Sequence, residues 1–219
     1  MATGTRFAIF DLDGTLTRRD TFGAWTCGLL RRQPSRWWRV PLLLGPLLLF
    51  ALRAHDRGRL KGAVMHRLFG GLPRATIDAW SRQFAHDCVA HLTFREGLAA
   101  LRAHRLAGEE VVLLSASPDV YVPRIGEVLG VDRTICTEVR WEAGRLDGRL
   151  AGPNRRGPEK ARVVAELRAA RPGLSVIAYG NSTPDLDHML LCEEAVYVNG
   201  SPRLAGTVNQ PGLRHVQWS

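Results

Sequence analysis

Five short apolar runs, the first ending at Asp-Leu-Asp-Gly and the others bounded by turn-forming residues, alternate with segments of helical spacing, and this alternation constrains the fold of the 219-residue chain most. Residues 6–10 (RFAIF), 110–114 (EVVLL), 134–139 (TICTEV), 174–179 (LSVIAY) and 195–198 (AVYV) read as buried strands. Residues 96–104, 118–129, 158–170 and 184–192 carry helical patterns between or beside them. Strand–helix alternation predicts an α/β fold, a Rossmann-like parallel sheet with helices on both faces, whose ligands bind beyond the carboxyl ends of the strands. The loops after Phe10, Leu114 and Tyr179 are therefore expected to converge. Two segments break the pattern. Residues 17–93 are helical in composition without a convincing strand, which predicts an inserted helical cap over 18–92 and a core built from 1–17 and 93–219. Residues 140–154, punctuated by Gly, predict a small hairpin.

Composition matters mainly for what it excludes. With 45% hydrophobic and 23% charged residues the chain sits at globular averages, unlike a disordered tail, a collagen-like repeat or a polytopic membrane protein. Cys27, Cys88, Cys136 and Cys192 lie far apart, without a Cys-x-x-Cys pair or paired histidines. Neither a zinc site nor a disulfide framework is expected, and a reducing, cytoplasmic setting is. The apolar run before the first acidic residues spans only Phe7 to Phe10, too short for the core of a secretory leader. The formal charge of +9 is concentrated: ten basic residues lie between Arg18 and Lys61, against Asp20 and Asp56 alone. A patch of this kind calls for an anionic partner, a phosphorylated substrate, an acidic lipid surface or nucleic acid. Specific nucleic-acid binding is not expected, because the basic stretch is interleaved with leucine and carries no recognition motif.

The chemistry starts at the end of the first run, Asp11-Leu12-Asp13-Gly14-Thr15-Leu16-Thr17. Two carboxylates one residue apart at a strand end can share a cation and divide roles, one attacking and the other exchanging a proton. Gly14 lets the chain turn after the second.

The run FDLDGTLT resembles the first signature of the haloacid dehalogenase superfamily, which consists mostly of magnesium-dependent phosphatases acting through an aspartyl-phosphate. Three further signatures follow in the order this resemblance requires. Ser115, in VVLLSASP, matches the serine that, with nearby backbone N–H groups and a helix opening at Pro118, would hold phosphoryl oxygens. Lys160, in GPEKARVV, matches the lysine that would neutralise both nucleophile and phosphoryl group. It is one of two lysines among 30 basic residues. The stretch from Tyr179 to Asp187 (YGNSTPDLD) matches the acidic loop that would complete the metal site, but Asn181 stands where the pattern has an aspartate. The resemblance implies Asp11 as nucleophile, Asp13 as proton donor and acceptor, Ser115 and Lys160 as the remaining catalytic groups, and Gly14, Thr15, Ser115, Ala116 and Lys160 around the phosphate. It also implies Mg²⁺ held by Asp11, Asp13, Asn181 and Asp185. An insertion between the first two signatures is similar to the phosphoserine-phosphatase-like branch. Asp187 and His188 are expected to be bystanders.

Residues 40–52 (VPLLLGPLLLFAL) form an uncharged apolar run too short to span a bilayer and broken by Pro41, Gly45 and Pro46. A buried cap helix and a segment lying in an anionic membrane interface both fit it, the latter through the flanking Trp37, Trp38 and arginines. The first sixty residues resemble the phosphatidylglycerophosphatase C family, which implies a phospholipid head group as substrate and peripheral membrane contact through 36–61 at the inner face. Phosphoserine or another small metabolite stands as the alternative substrate, and a catalytically weak binding protein of the same fold as the alternative class.

Overall fold

The computed structural model describes residues 6–200 and 212–219. The remaining residues of the expected core, 1–5 and 201–211, lie outside the described residues. The chain begins with β1 (Arg6–Phe10). Four inserted helices follow: α1 (Thr21–Arg32), α2 (Leu44–Ala51), α3 (Arg57–Phe69) and α4 (Arg74–His91), with a 3-10 segment, Pro34–Leu43, between the first two. The alternation then resumes with α5 (Arg95–Leu106), β2 (Glu110–Pro118), α6 (Val122–Leu129) and β3 (Arg133–Thr137). A hairpin of β4 (Val139–Glu142) and β5 (Arg145–Leu150) precedes α7 (Pro158–Ala170), β6 (Ser175–Gly180), α8 (Thr183–Met189), β7 (Glu194–Val198) and β8 (Leu213–Val216).

Six strands form one parallel sheet in the order β3-β2-β1-β6-β7-β8. Strand alternation divides the core. Phe7 and Ile9 of β1 join Val163, Val164 and Leu167 of α7 and Met189 of α8 on one face. Ala8 and Phe10 join Leu101 of α5, Ile125 of α6 and the inserted helices on the other. The fold class is as expected: helices cover both faces. Because β1 has β2 on one side and β6 on the other, the sheet changes direction there, and a crevice opens at the carboxyl end of β1.

The insertion is tied to this crevice by aromatic packing. Trp25 of α1, fully buried, stacks on Tyr121 at 5.4 Å and meets Phe69 edge-on at 5.7 Å. Its indole N–H donates to Ser81 Oγ at 3.1 Å. The hairpin lies beneath α3, where the His66 ring nitrogen is 2.8 Å from Asp147 Oδ1.

Two boundaries and one element differ from expectation. β2 runs on to Pro118, which pairs with Thr137, and Asp119 N–H donates to Thr137 O, so α6 opens at Val122 rather than Pro118. The run 134–139 is divided at Glu138: Thr137 ends β3, and Val139, whose N–H reaches Asp119 Oδ1, starts the hairpin. β8 is an additional edge strand whose sequence, LRHV, lacks an apolar run. Only Pro46 of α2 is buried, so the run 40–52 is not cap interior.

Candidate active site

Asp11 leaves β1 still in register, its N–H donating to Tyr179 O at 3.0 Å. The chain then folds tightly as Thr15 and Thr17 N–H both donate to Leu12 O. Gly14 has φ +84°, and a Cβ there would lie 2.1 Å from Asn181 Nδ2, so glycine both permits the turn after β1 and leaves room for the Asn181 amide from the loop after β6.

The buried ammonium of Lys160, in the first turn of α7, bridges the two loops. Its Nζ lies 2.5 Å from Asp11 Oδ1 and 2.6 Å from Asp185 Oδ1. The other Asp185 oxygen accepts from Ser182 N–H and hydroxyl, which caps α8. Thr15 Oγ1 lies 3.1 Å from Asp11 Oδ2 and 3.3 Å from Asn181 Oδ1, so these two oxygens share one donor. Asp13 is held from both sides: Oδ1 accepts from the Thr21 N–H (2.7 Å) and hydroxyl (2.6 Å), Oδ2 from the Ser117 hydroxyl (2.5 Å).

The carboxylates feel different fields. Burial pushes Asp11 up to about 7 against the charge of Lys160, and the negative charges of Asp185 and Asp13 add to the rise. Asp185 is lowered to about 2: burial works upward, but the charge and hydrogen bond of Lys160 outweigh it. Burial works against the Lys160 cation, yet Asp11 and Asp185 together raise it.

Asp11, Asp13, Gly14, Ala116, Lys160, Asn181 and Asp185 all line one cavity of about 540 Å³. Thr15 and Ser115 are fully buried. Thr15 supports Asp11 from behind, and Ser115 Oγ accepts from Ser117 N–H at 3.1 Å. The expected helix N-terminus at Pro118 does not stand beside Ser115, because α6 starts four residues later.

Sequence reasoning missed Ser117 and Thr21, which hold Asp13, and Lys61 from α3, whose Nζ reaches Ala116 O and Ser117 Oγ at 3.3 Å each. Burial lowers Lys61, opposed by the charges of Asp13 and Asp20. Its rarity in an arginine-rich chain was the available signal. Asp187 stays outside the cavity lining, while His188 is fully buried.

As a cation site the arrangement offers only hard oxygen donors, the kind Mg²⁺ takes. Two carboxylates, Asp11 and Asp185, face one buried ammonium, Asp13 lines the same cavity, and Asp11 and Asn181 present oxygens to one Thr15 hydroxyl, so the donor set is of the kind that fits a divalent ion. Among the described residues no three His, Cys, Asp or Glu form a closed cage by themselves.

The family model described as haloacid dehalogenase-like hydrolase matches residues 8–190. Protein CicA of Caulobacter vibrioides is 33% identical over 189 residues, covering 86% of this chain and 83% of that protein. A probable phosphatase of Mycobacterium tuberculosis is 28% identical over 88% of this chain and 68% of its own length. A phosphoserine phosphatase of Archaeoglobus fulgidus is 32% identical over 54% of this chain and 33% of its own. Among solved structures, a protein of unknown function from Bordetella pertussis Tohama I shares the fold at TM-score 0.78 and 20% identity, covering 97% of this chain and 98% of its own. A phospho-aspartyl intermediate analogue of phosphoserine phosphatase does so at TM-score 0.65 and 14% identity, covering 97% and 94%.

Proposed function

Because the chain belongs to the haloacid dehalogenase-like hydrolase family, we propose that it is a phosphatase that cleaves phosphomonoesters through an aspartyl-phosphate on Asp11. The observation that carries this reading is Asp11 at the carboxyl end of β1, within 2.5 Å of Lys160 Nζ and on one cavity with Asp13.

An Asp11 carboxylate oxygen attacks phosphorus, and the ester P–O bond breaks. Asp13 gives its proton to the leaving alcohol, then takes one from the water that attacks the phosphoryl group and releases Asp11 and inorganic phosphate. Thr21 and Ser117 aim the Asp13 carboxyl throughout. Lys160 offsets charge on Asp11 and on the phosphoryl oxygens, assisted by Lys61 from the insertion. Mg²⁺, held by Asp11, the Asp13 backbone carbonyl, Asn181 and Asp185, would supply further neutralisation of the phosphoryl group. Residues 18–92 act as a cap over a core of 1–17 and 93–219.

The substrate we favour is a phospholipid head group such as phosphatidylglycerophosphate. Support comes from a cavity wall that combines Phe22, Phe50 and Leu60 with Arg18, Arg19 and Arg57. Phosphoserine is the second reading, favoured by the phosphoserine phosphatases among the relatives. With all four cysteines unpaired, we place the protein in the reducing cytoplasm.

The test is Mg²⁺-dependent hydrolysis of p-nitrophenyl phosphate by the wild type and by Asp11→Asn. Turnover by the wild type and its loss by at least about 10³-fold, the scale for removing a nucleophile, is expected. Equal rates in the two proteins would defeat the nucleophile assignment. No turnover by either would favour the catalytically silent binding protein, for which Asn181 in place of an acid is the specific pointer.

A further inference from the structure

The phosphatase site leaves the apolar run 40–52 unexplained. Among the described residues, ten of the thirteen large hydrophobic side chains that stand exposed fall between Trp37 and Leu52. Leu44, Leu48 and Leu52 are 71%, 59% and 68% exposed, and α2 shows apolar side chains over most of its circumference. Such a contiguous patch marks an interaction surface, because each leucine left in water forgoes the free energy of burial. It is not a loose loop. Arg36 and Arg39 both donate to Gly70 O, and Arg67 returns to Leu42 O, so the 3-10 segment is pinned to α3.

The basic side chains around the patch are without ion pairs. Among the described residues none of the ten basic side chains from Arg18 to Lys61 forms a salt bridge, whereas elsewhere arginines find acids, as Arg168 does with Glu193 and Arg171 with Glu110. No helix among the described residues is long and apolar enough to cross a membrane.

We propose that this face docks on an anionic lipid bilayer, with Trp38, Leu44, Leu48 and Leu52 entering the boundary between head groups and acyl chains. Arg31, Arg53, Arg57 and Arg59 meet the lipid phosphates there. Charge complementarity selects this occupant over a second copy of the chain, since a two-fold contact would set the same basic residues against themselves. Phe50, Arg57 and Leu60 also line the cavity that holds Asp11, so the mouth of the site opens at the rim of the docking face. This last point rests on the phosphatase reading; the docking itself does not.

Sedimentation with phosphatidylcholine vesicles, with and without phosphatidylglycerol, tests the proposal on the full chain. Binding is expected to the anionic vesicles only, to weaken with added salt, and to fall at least tenfold in Leu44→Glu/Leu48→Glu. That variant changes two exposed side chains and is expected to keep wild-type hydrolysis of p-nitrophenyl phosphate in solution. Asp11→Asn is expected to bind vesicles normally, which separates failure of docking from failure of the phosphatase reading. Equal binding to neutral vesicles, or none to either, would overturn the proposal. So would a wild-type dimer in light scattering that the double variant converts to monomer, since the patch would then be covered by a second copy.

Discussion

Lys61 and Lys160 are the two lysines among 30 basic residues, and both line the same cavity. A compact ammonium presents its charge at a point where a planar guanidinium spreads it, and Lys61 Nζ already reaches Ala116 O and Ser117 Oγ. Ser117 in turn donates to Asp13, so in the proposed reaction Lys61 would position both the phosphate and the proton carrier. Lys61→Met is expected to raise KM for a soluble phosphate ester about tenfold, equivalent to about 1.4 kcal/mol, with an unchanged circular dichroism spectrum. Lys61→Arg should not restore it; wild-type KM in either variant would remove Lys61 from the site. Asp11, Asp13, Gly14 and Asn181 were legible in the sequence because each sits in a short motif at a strand end, where local order fixes its place. Lys61, Thr21 and Ser117 were not. Lys61 lies 56 residues from the serine it touches, and Thr21 is 100 residues from Tyr121, its other partner. Only the folded insertion brings them together.

At the scale of elements, the helix expected over 158–170 coincides with α7, and the hairpin expected within 140–154 forms as β4 and β5. Pro158 at its start and Val163, Val164 and Leu167 at helical spacing made the first legible; positive φ at Ala143 and Gly144 makes the second turn, a conformation glycine signals in advance. β8 escaped because an edge strand half open to water needs no apolar run. The run 40–52 was ambiguous for a different reason: hydrophobicity alone does not separate a buried helix from one covered by something else. The hairpin's seat on α3 was invisible as well, since it depends on Gly148. That residue has φ +87°, and a Cβ would meet backbone atoms of α3, His66 N at 2.7 Å and the Met65 carbonyl carbon at 2.8 Å. Gly148→Ala adds this clash to the conformational cost, for a loss of about 3 kcal/mol and a Tm lower by roughly 6–12 °C in a chain of this size. Gly144→Ala, with φ +74° and open space around its Cβ, isolates the conformational part at about 1 kcal/mol. Equal Tm losses in calorimetry would show that the hairpin does not rest on α3 through this glycine.

For the whole molecule, acid stability is set partly by a group that takes no step in the proposed reaction. His188 of α8 is fully buried, both ring nitrogens lack a hydrogen-bond partner, and its pKa is lowered to about 3. Burial is the main cause and the charge of Lys160 adds to it, against the opposing charge of Asp185. Below its ordinary value of 6.5, the unfolded chain binds a proton at this histidine that the folded chain refuses until about pH 3. Protons then favour the unfolded state, so the contribution is neutral above pH 6.5 and destabilises progressively as pH falls through that window. The chain's other titrating groups and the mutual repulsion of its +9 charge change with pH too, and they do so almost equally in a variant that lacks only this ring. His188→Leu removes the two unpartnered nitrogens and keeps an apolar side chain among its neighbours. Comparing the two proteins in a chelator, to keep divalent ions from the neighbouring carboxylates, isolates the histidine. The variant is expected to gain about 2 kcal/mol on the wild type between pH 6.5 and pH 5, at about 1.4 kcal/mol per pH unit, in denaturant titrations at each pH. Parallel stability curves would mean that His188 charges in the folded protein and is not held neutral by its burial beside Lys160.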